Sequence, residues 1–179
     1  MNLDTKQHPY KDRKYKIVAY NPEWVKKFEN YASKIRTIFP SVQVEHIGST
    51  SVPGMSGKPC VDLLVTVPDI EFVKNKKDDM EAVGFEYAGS FVTKDSVLFR
   101  VMQDNELVAN IHFFPIGHPH NIEMLSLRDY LRNHPEEVRA YSDIKKDLES
   151  RFSEDYASYR KYKDEYMEKL KERVKKEVL

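Results

Sequence analysis

Apolar residues follow two different patterns along this chain. From Tyr15 to Phe114 they alternate with polar ones or run in short blocks bounded by Gly and Pro, whereas after Pro115 they recur at helical spacing among many charges. The first pattern predicts strands with intervening helices, the second a helical segment. Trp24, Phe28, Tyr31, Ile35 and Ile38 form one stripe behind Asn21-Pro22-Glu23. That tripeptide supplies a capping side chain, a Pro at the first helical position and an acid at the positive helix end, so a helix is predicted to about residue 39. Strands are predicted over 15–20, 42–47, 60–67, 85–88, 97–102 and 107–114, with Asp104-Asn105 turning between the last two. Segment 60–67 is apolar on both faces apart from Asp62 and Thr66, which places it inside a sheet. Residues 70–83 read as a crossover helix, and 123–133, 135–151 and 155 to about 178 as further helices.

Strands first and helices last argue an α+β architecture, with helices gathered beside one mixed sheet. The division expected is an N-terminal arm over 1–14, an α/β core over 15–121 and a helical segment over 122–179 packed on that core. At 179 residues, with 40% apolar and 12% aromatic, the chain can bury one real core. The 29 basic and 29 acidic residues cancel, so a nucleic-acid partner is not expected. No apolar run is long enough to span a bilayer, and the polar start lacks a secretory core, so a cytoplasmic protein without a membrane partner is expected. The single Cys60 excludes an internal disulfide and reads as a small core residue. Composition does not set the oligomeric state.

The chemistry concentrates between His46 and Asp62. A strand runs into Gly48-Ser49-Thr50-Ser51, where Gly permits close backbone approach and three hydroxyls stand beside backbone N–H groups, a suitable place for phosphate. Asp62 then interrupts an apolar strand, and a carboxylate there must be paired or bound to a cation. Lys58 stands between them. A P-loop is excluded, because Val52 and Pro59 occupy positions that must be Gly and Ser or Thr. On the strand 107–114, alternation puts Asn110, His112 and Phe114 on one face. If that strand neighbours 60–67, His112 meets Asp62 as metal ligand, phosphate donor or proton carrier. Arg128 and Arg132 share a helix face and, with Lys145, make a further phosphate-binding candidate, against the alternative of local pairing with Asp129 and Glu136. His46 either orients the turn or touches ligand. Gly117-His118-Pro119-His120 reads as a plain loop, and the tyrosines of the last helix as packing.

The run Glu45 to Gly54, followed by Lys58-Pro59 and Val61-Asp62, closely resembles the signature of the GrpB-like family. Tyr20 to Trp24 resembles the family's opening, and Leu127 to Arg132 with His134-Pro135, Tyr141 and Lys145 its helical part. By fold that family belongs to the nucleotidyltransferase superfamily, and a related domain is fused to some bacterial dephospho-CoA kinases. The resemblance implies a nucleotidyltransferase-like mixed sheet flanked by helices, with Gly48 and Ser49 holding a triphosphate and Asp62 binding Mg2+ (or Mn2+). His112 is the second metal candidate, and Asn110, where relatives often carry a second histidine, helps orient the ligand. Leu64 occupies the superfamily's second acid position, and His112 the third. The expected activity is binding of a nucleoside triphosphate or phosphorylated metabolite with nucleotidyl transfer. The alternative is a non-catalytic module for a nucleotide or coenzyme-A-like ligand.

Overall fold

A computed structural model describes residues 14–90 and 92–178; nearly all of the expected N-terminal arm lies outside the described residues. Helix α1 (Glu23–Ile38) is followed by β1 (Gln43–Ile47), a one-turn 3-10 segment (Ser49–Ser51) and β2 (Val61–Val67). Helices α2 (Ile70–Asn75) and α3 (Lys77–Ala82) lead to β3 (Glu86–Gly89), β4 (Val97–Gln103) and β5 (Glu106–Pro115). Three helices follow, α4 (Pro119–Asn133), α5 (Pro135–Arg151) and α6 (Tyr156–Val178). The strands form one mixed sheet in the order β1-β2-β5-β4-β3, with β2 and β5 parallel and every other pairing antiparallel.

The two faces of β2 have different fates. Val61, Leu63, Val65 and Val67 join Trp24, Ile35, Phe99 and Phe113 in the main core beneath α1. The opposite face carries Asp62, Leu64 and Thr66. There Leu64 packs with Ile47 and Phe114 against Met124 and Leu125 of α4, and the sheet beyond them opens at Asp62. A third cluster joins Val52 and Met55 of the turn region to Leu131, Tyr141 and Leu170 of the three last helices.

Several elements differ from the sequence expectation. Residues 15–20 make no strand; they contribute one antiparallel bridge, Val18 to Gly57. Their apolar side chains divide: Val18 and Tyr20 pack on the main core, whereas Tyr15 and Ile17 serve the C-terminal helices. Ile17 is buried with Leu148, Tyr156 and Tyr159, and the Tyr15 hydroxyl donates to the Phe152 carbonyl at 2.7 Å. The predicted crossover helix breaks at Lys76, where Asn75, Lys76 and Lys77 offer no apolar group to bury and Asn is a weak helix former. Helix α4 begins at Pro119, four residues before the expected 123. The proline's missing N–H costs nothing in the first turn, and the His118 ring caps it by accepting the His120 N–H at 3.2 Å. At α1, Asn21 does cap, its side chain accepting the Glu23 N–H at 3.0 Å. Asp104 and Asn105 take positive φ of 51° and 64°, the conformation a two-residue hairpin turn needs.

Leu170 of α6 is 0% exposed, which makes the last helix part of a shared core. Leu170→Ala is therefore expected to cost about 2–5 kcal/mol. Urea unfolding followed by tryptophan fluorescence checks this, because Trp24 sits in the main core. An unchanged midpoint would mean that α6 unfolds independently of the sheet.

Candidate functional site

Register brings the predicted residues of the two parallel strands together. Asp62 lies opposite Asn110, and Leu64 opposite His112. The Asn110 amide donates to Asp62 Oδ1 at 2.9 Å, and His112 Nε2 stands 3.7 Å from the same oxygen. The Asp62 side chain is 29% exposed, so it is open to solvent and not sealed in the sheet. Burial pushes its carboxyl up, but the nearby His112, the Asn110 amide and the charge of Lys58 outweigh this and hold it below the ordinary carboxylate range.

The Gly48 turn lies against that carboxylate. Gly48 has φ 72°, and a Cβ there would stand 2.6 Å from Asp62 Oδ2. Both the backbone conformation and the missing side chain are therefore required. The 3-10 turn that follows is braced from several directions. Ser51 Oγ donates to the Gly48 carbonyl at 2.7 Å, and the Ser51 carbonyl accepts from Arg132 Nη2 at 2.8 Å and Nε at 3.1 Å. His46 Nε2 lies 2.9 Å from Thr50 Oγ1, and the imidazole stacks on Phe28 at 4.7 Å. Burial, reinforced by the charges of Arg132 and Arg128 and only partly offset by Asp62, pushes the His46 pKa down to about 4. The ring is thus neutral at physiological pH.

Of the three helical cations named from the sequence, Lys145 is the one that reaches Ser49. It is 2% exposed, yet its ammonium donates to Ser49 Oγ at 2.9 Å. Burial lowers its pKa to about 7, helped by repulsion from Lys163, Lys58 and Lys146. Lys58 Nζ donates to the Tyr156 hydroxyl at 2.6 Å and lies over that ring. Ser49, Lys58, Asp62, Asn110 and His112 line one cleft of about 320 Å³, whose opposite wall is Tyr156, Arg160 and Lys163 of α6. Sequence reading missed these last three, because the tyrosine and basic residues of a charged helix read as packing and a solvated face. Periodicity alone gives no sign that the first turns of α6 cross the sheet opening.

The remaining candidates lie elsewhere. Arg128 is engaged by Glu45 at 2.7 Å, Asp129 at 2.7 Å and the His46 carbonyl at 3.2 Å. Thr50 is 1% exposed and faces His46, and Ser51 and Arg132 lie behind the turn. His118 and His120 pair separately, with Asp95 at 3.3 Å and Glu123 at 3.8 Å.

Among the described residues no group of three or more His, Cys, Asp or Glu side chains is placed to hold a metal ion. Among the described residues of the cleft, the carboxylate and imidazole open to a cation are Asp62 and His112. This pair suits a single ion that takes its other ligands from phosphate and water, and it does not suit a two-ion centre.

Comparison with known proteins agrees with this architecture. The UPF0157 protein YqkA of Bacillus subtilis is 31% identical over 171 residues, covering 94% of this chain but 50% of YqkA, so the chain spans half of that relative's length. The Glutamate-rich protein GrpB of Alkalihalophilus pseudofirmus is 25% identical over 86% of this chain and 92% of its own. The crystal structure of GrpB from Enterococcus faecalis superposes with a TM-score of 0.85 at 31% identity, covering 91% of this chain and 99% of that one. The MgGTP-bound Cid1 poly(U) polymerase matches with a TM-score of 0.52 at 14% identity, over 75% of this chain and 45% of that one, which is a likeness of fold. The mixed five-stranded sheet is thus nucleotidyltransferase-like. Because the family described as GrpB protein matches residues 14–173, nearly the whole length, this chain belongs to the GrpB family.

Proposed function

We propose that the cleft binds the phosphates of a nucleoside triphosphate or a similar phosphorylated small molecule, with Asp62 and His112 offering a site for one Mg2+ or Mn2+. The observation that carries this reading is the charge of the cleft. Lys58, Arg160 and Lys163 line it, Lys145 lies behind Ser49, and Asp62 is the one acid among the described lining residues; Asp164 pairs with Lys163 at 2.7 Å and Arg160 at 3.6 Å, so four cations still outnumber two carboxylates, in a chain of zero net charge. Concentrated positive charge in a concave site raises the local concentration of anions. The likeness of fold to Cid1, solved with MgGTP, supports the same ligand class. Ser49 and the turn would meet phosphate oxygens, Lys58 and Lys163 would balance their charge, and Asn110 holds the Asp62 carboxyl in place.

Nucleotidyl transfer to an acceptor is the catalytic form of this reading. Binding without turnover is favoured by Leu64, which is 1% exposed and packed among Ile47 and Phe114 where a second acid would hold metal. Pyrophosphate release with each common nucleoside triphosphate and Mg2+ or Mn2+ separates the two. Transfer predicts release that Asp62→Ala abolishes. Binding alone predicts no release but a ligand-induced rise in melting temperature, because a ligand of the native state stabilises it. If no nucleotide or phosphorylated metabolite shifts the melting temperature, the reading fails.

Lys145 adds a pH signature. Its folded pKa, about 7, lies below the ordinary 10.5, so folding carries a penalty at low pH that is relieved as pH rises through that window. A bound anion favours the charged amine. Affinity for tripolyphosphate is therefore expected to be highest below about 7 and to fall above it by up to about tenfold per pH unit, beyond the probe's own titration. Calorimetry on the parent and Lys145→Met checks this. The variant is expected to bind more weakly at low pH and to lack the Lys145 component of the slope, whereas superimposable profiles would remove Lys145 from the site.

A further inference from the structure

A larger cavity lies behind the Gly48–Ser51 turn. It encloses about 630 Å³ between α1 and the corner where α4 meets α5, and shares no lining residue with the Asp62 cleft. Its volume falls within the range of small-molecule sites. Phe28, Leu131 and Val138, all 7% exposed or less, and Val25 supply an apolar wall. Tyr20 and Pro53 add to it.

The charged lining is specific. Arg132 and Arg139 face the cavity with Glu29, leaving one positive charge in excess. Arg132 spends Nε and Nη2 on the Ser51 carbonyl, and its Nη1 reaches Asp129 only at 4.0 Å. Glu29 lies 4.0 Å from Arg36. Arg139 has no hydrogen-bonding or ionic partner among the described residues. The His46 ring, also in the lining, adds no charge at neutral pH. An apolar wall, a guanidinium available for a planar anion and one net positive charge match a ligand with a single negative charge and an apolar body. A polyphosphate would overmatch that charge and leave the wall unfilled.

From this geometry we infer that the cavity between α1 and the α4–α5 corner binds a small organic carboxylate with an aromatic or aliphatic body. The site is independent of the Asp62 cleft. Its occupant touches Ser51 and His46, so the back of the phosphate turn forms part of its wall.

The test uses the full chain and 4-phenylbutyrate as probe, with 4-phenylbutan-1-ol and acetate as comparators, by calorimetry. Saturable binding of one 4-phenylbutyrate per chain is expected, at least tenfold tighter than either comparator. Arg139→Gln is expected to abolish the preference for the acid over the alcohol. Val25→Trp is expected to block both, and because Val25 is 45% exposed that variant should fold with an unchanged melting temperature. Tripolyphosphate, the probe of the other cleft, is expected not to displace 4-phenylbutyrate. The inference is overturned by absence of saturable binding, by equal affinity for acid and alcohol, by undiminished binding in both variants, or by displacement with tripolyphosphate. None of these results bears on whether the Asp62 cleft binds phosphate.

Discussion

The contact between the Gly48 backbone and the Asp62 carboxylate governs the rest of this site. There is no space for a methyl group between them, since a Cβ on Gly48 would come within 2.6 Å of Oδ2. Strand β2 therefore fixes where the turn lies, and the turn fixes how far the carboxylate projects. Around this contact the structure is held by many partners. Arg132, Thr50 with His46, and the buried Lys145 each secure a different atom of the turn, and Asn110 secures the acid. Such redundancy suits a place where polar groups must keep fixed positions in a largely apolar setting, since a buried polar atom left without a partner costs about 1–3 kcal/mol.

The charge distribution supports a division of labour across the sheet opening. The strands supply the acid, the imidazole and the amide, whereas the loop before β2 supplies Lys58 and the helices supply the other cations. Leu64 marks the limit of the analogy with two-ion chemistry, because its side chain completes a small apolar cluster beneath α4. A carboxylate in its place would lie in that cluster without a partner, at a large desolvation cost.

The sequence made the sheet side of this site and Lys145 legible and concealed the rest of the helical side. Asp62 stood out because an acid inside an apolar strand demands a partner. Asn110 and His112 followed from alternation once the two strands were taken as neighbours, and the parallel register bears out that neighbourhood. Strand periodicity could not show that residues 15–20 stay out of the sheet and send Tyr15 and Ile17 to the C-terminal helices but Val18 and Tyr20 to the main core, because a segment with alternating apolar side chains reads the same way in either setting. Nor could helix periodicity show that Tyr156, Arg160 and Lys163 form a wall of the cleft, since charge on a helix face usually points to water. Family resemblance supplied the nucleotidyltransferase-like fold, which spacing alone did not.

The hydrogen bond from Lys145 to Ser49 joins positions 96 residues apart, and that from Lys58 to Tyr156 joins positions 98 apart. Contacts so distant in the chain carry a loop-closure cost that is met only when the intervening elements are in place. While the chain is being synthesised, the sheet with its turn, Lys58 and Asp62 emerges well before Lys145, Arg160 and Lys163 of the helices. A nascent molecule therefore passes through a stage in which Asp62 and Lys58 are in place but the helical wall of the cleft is absent, and on the proposed reading a phosphate ligand would favour the completed form by drawing the last helix home.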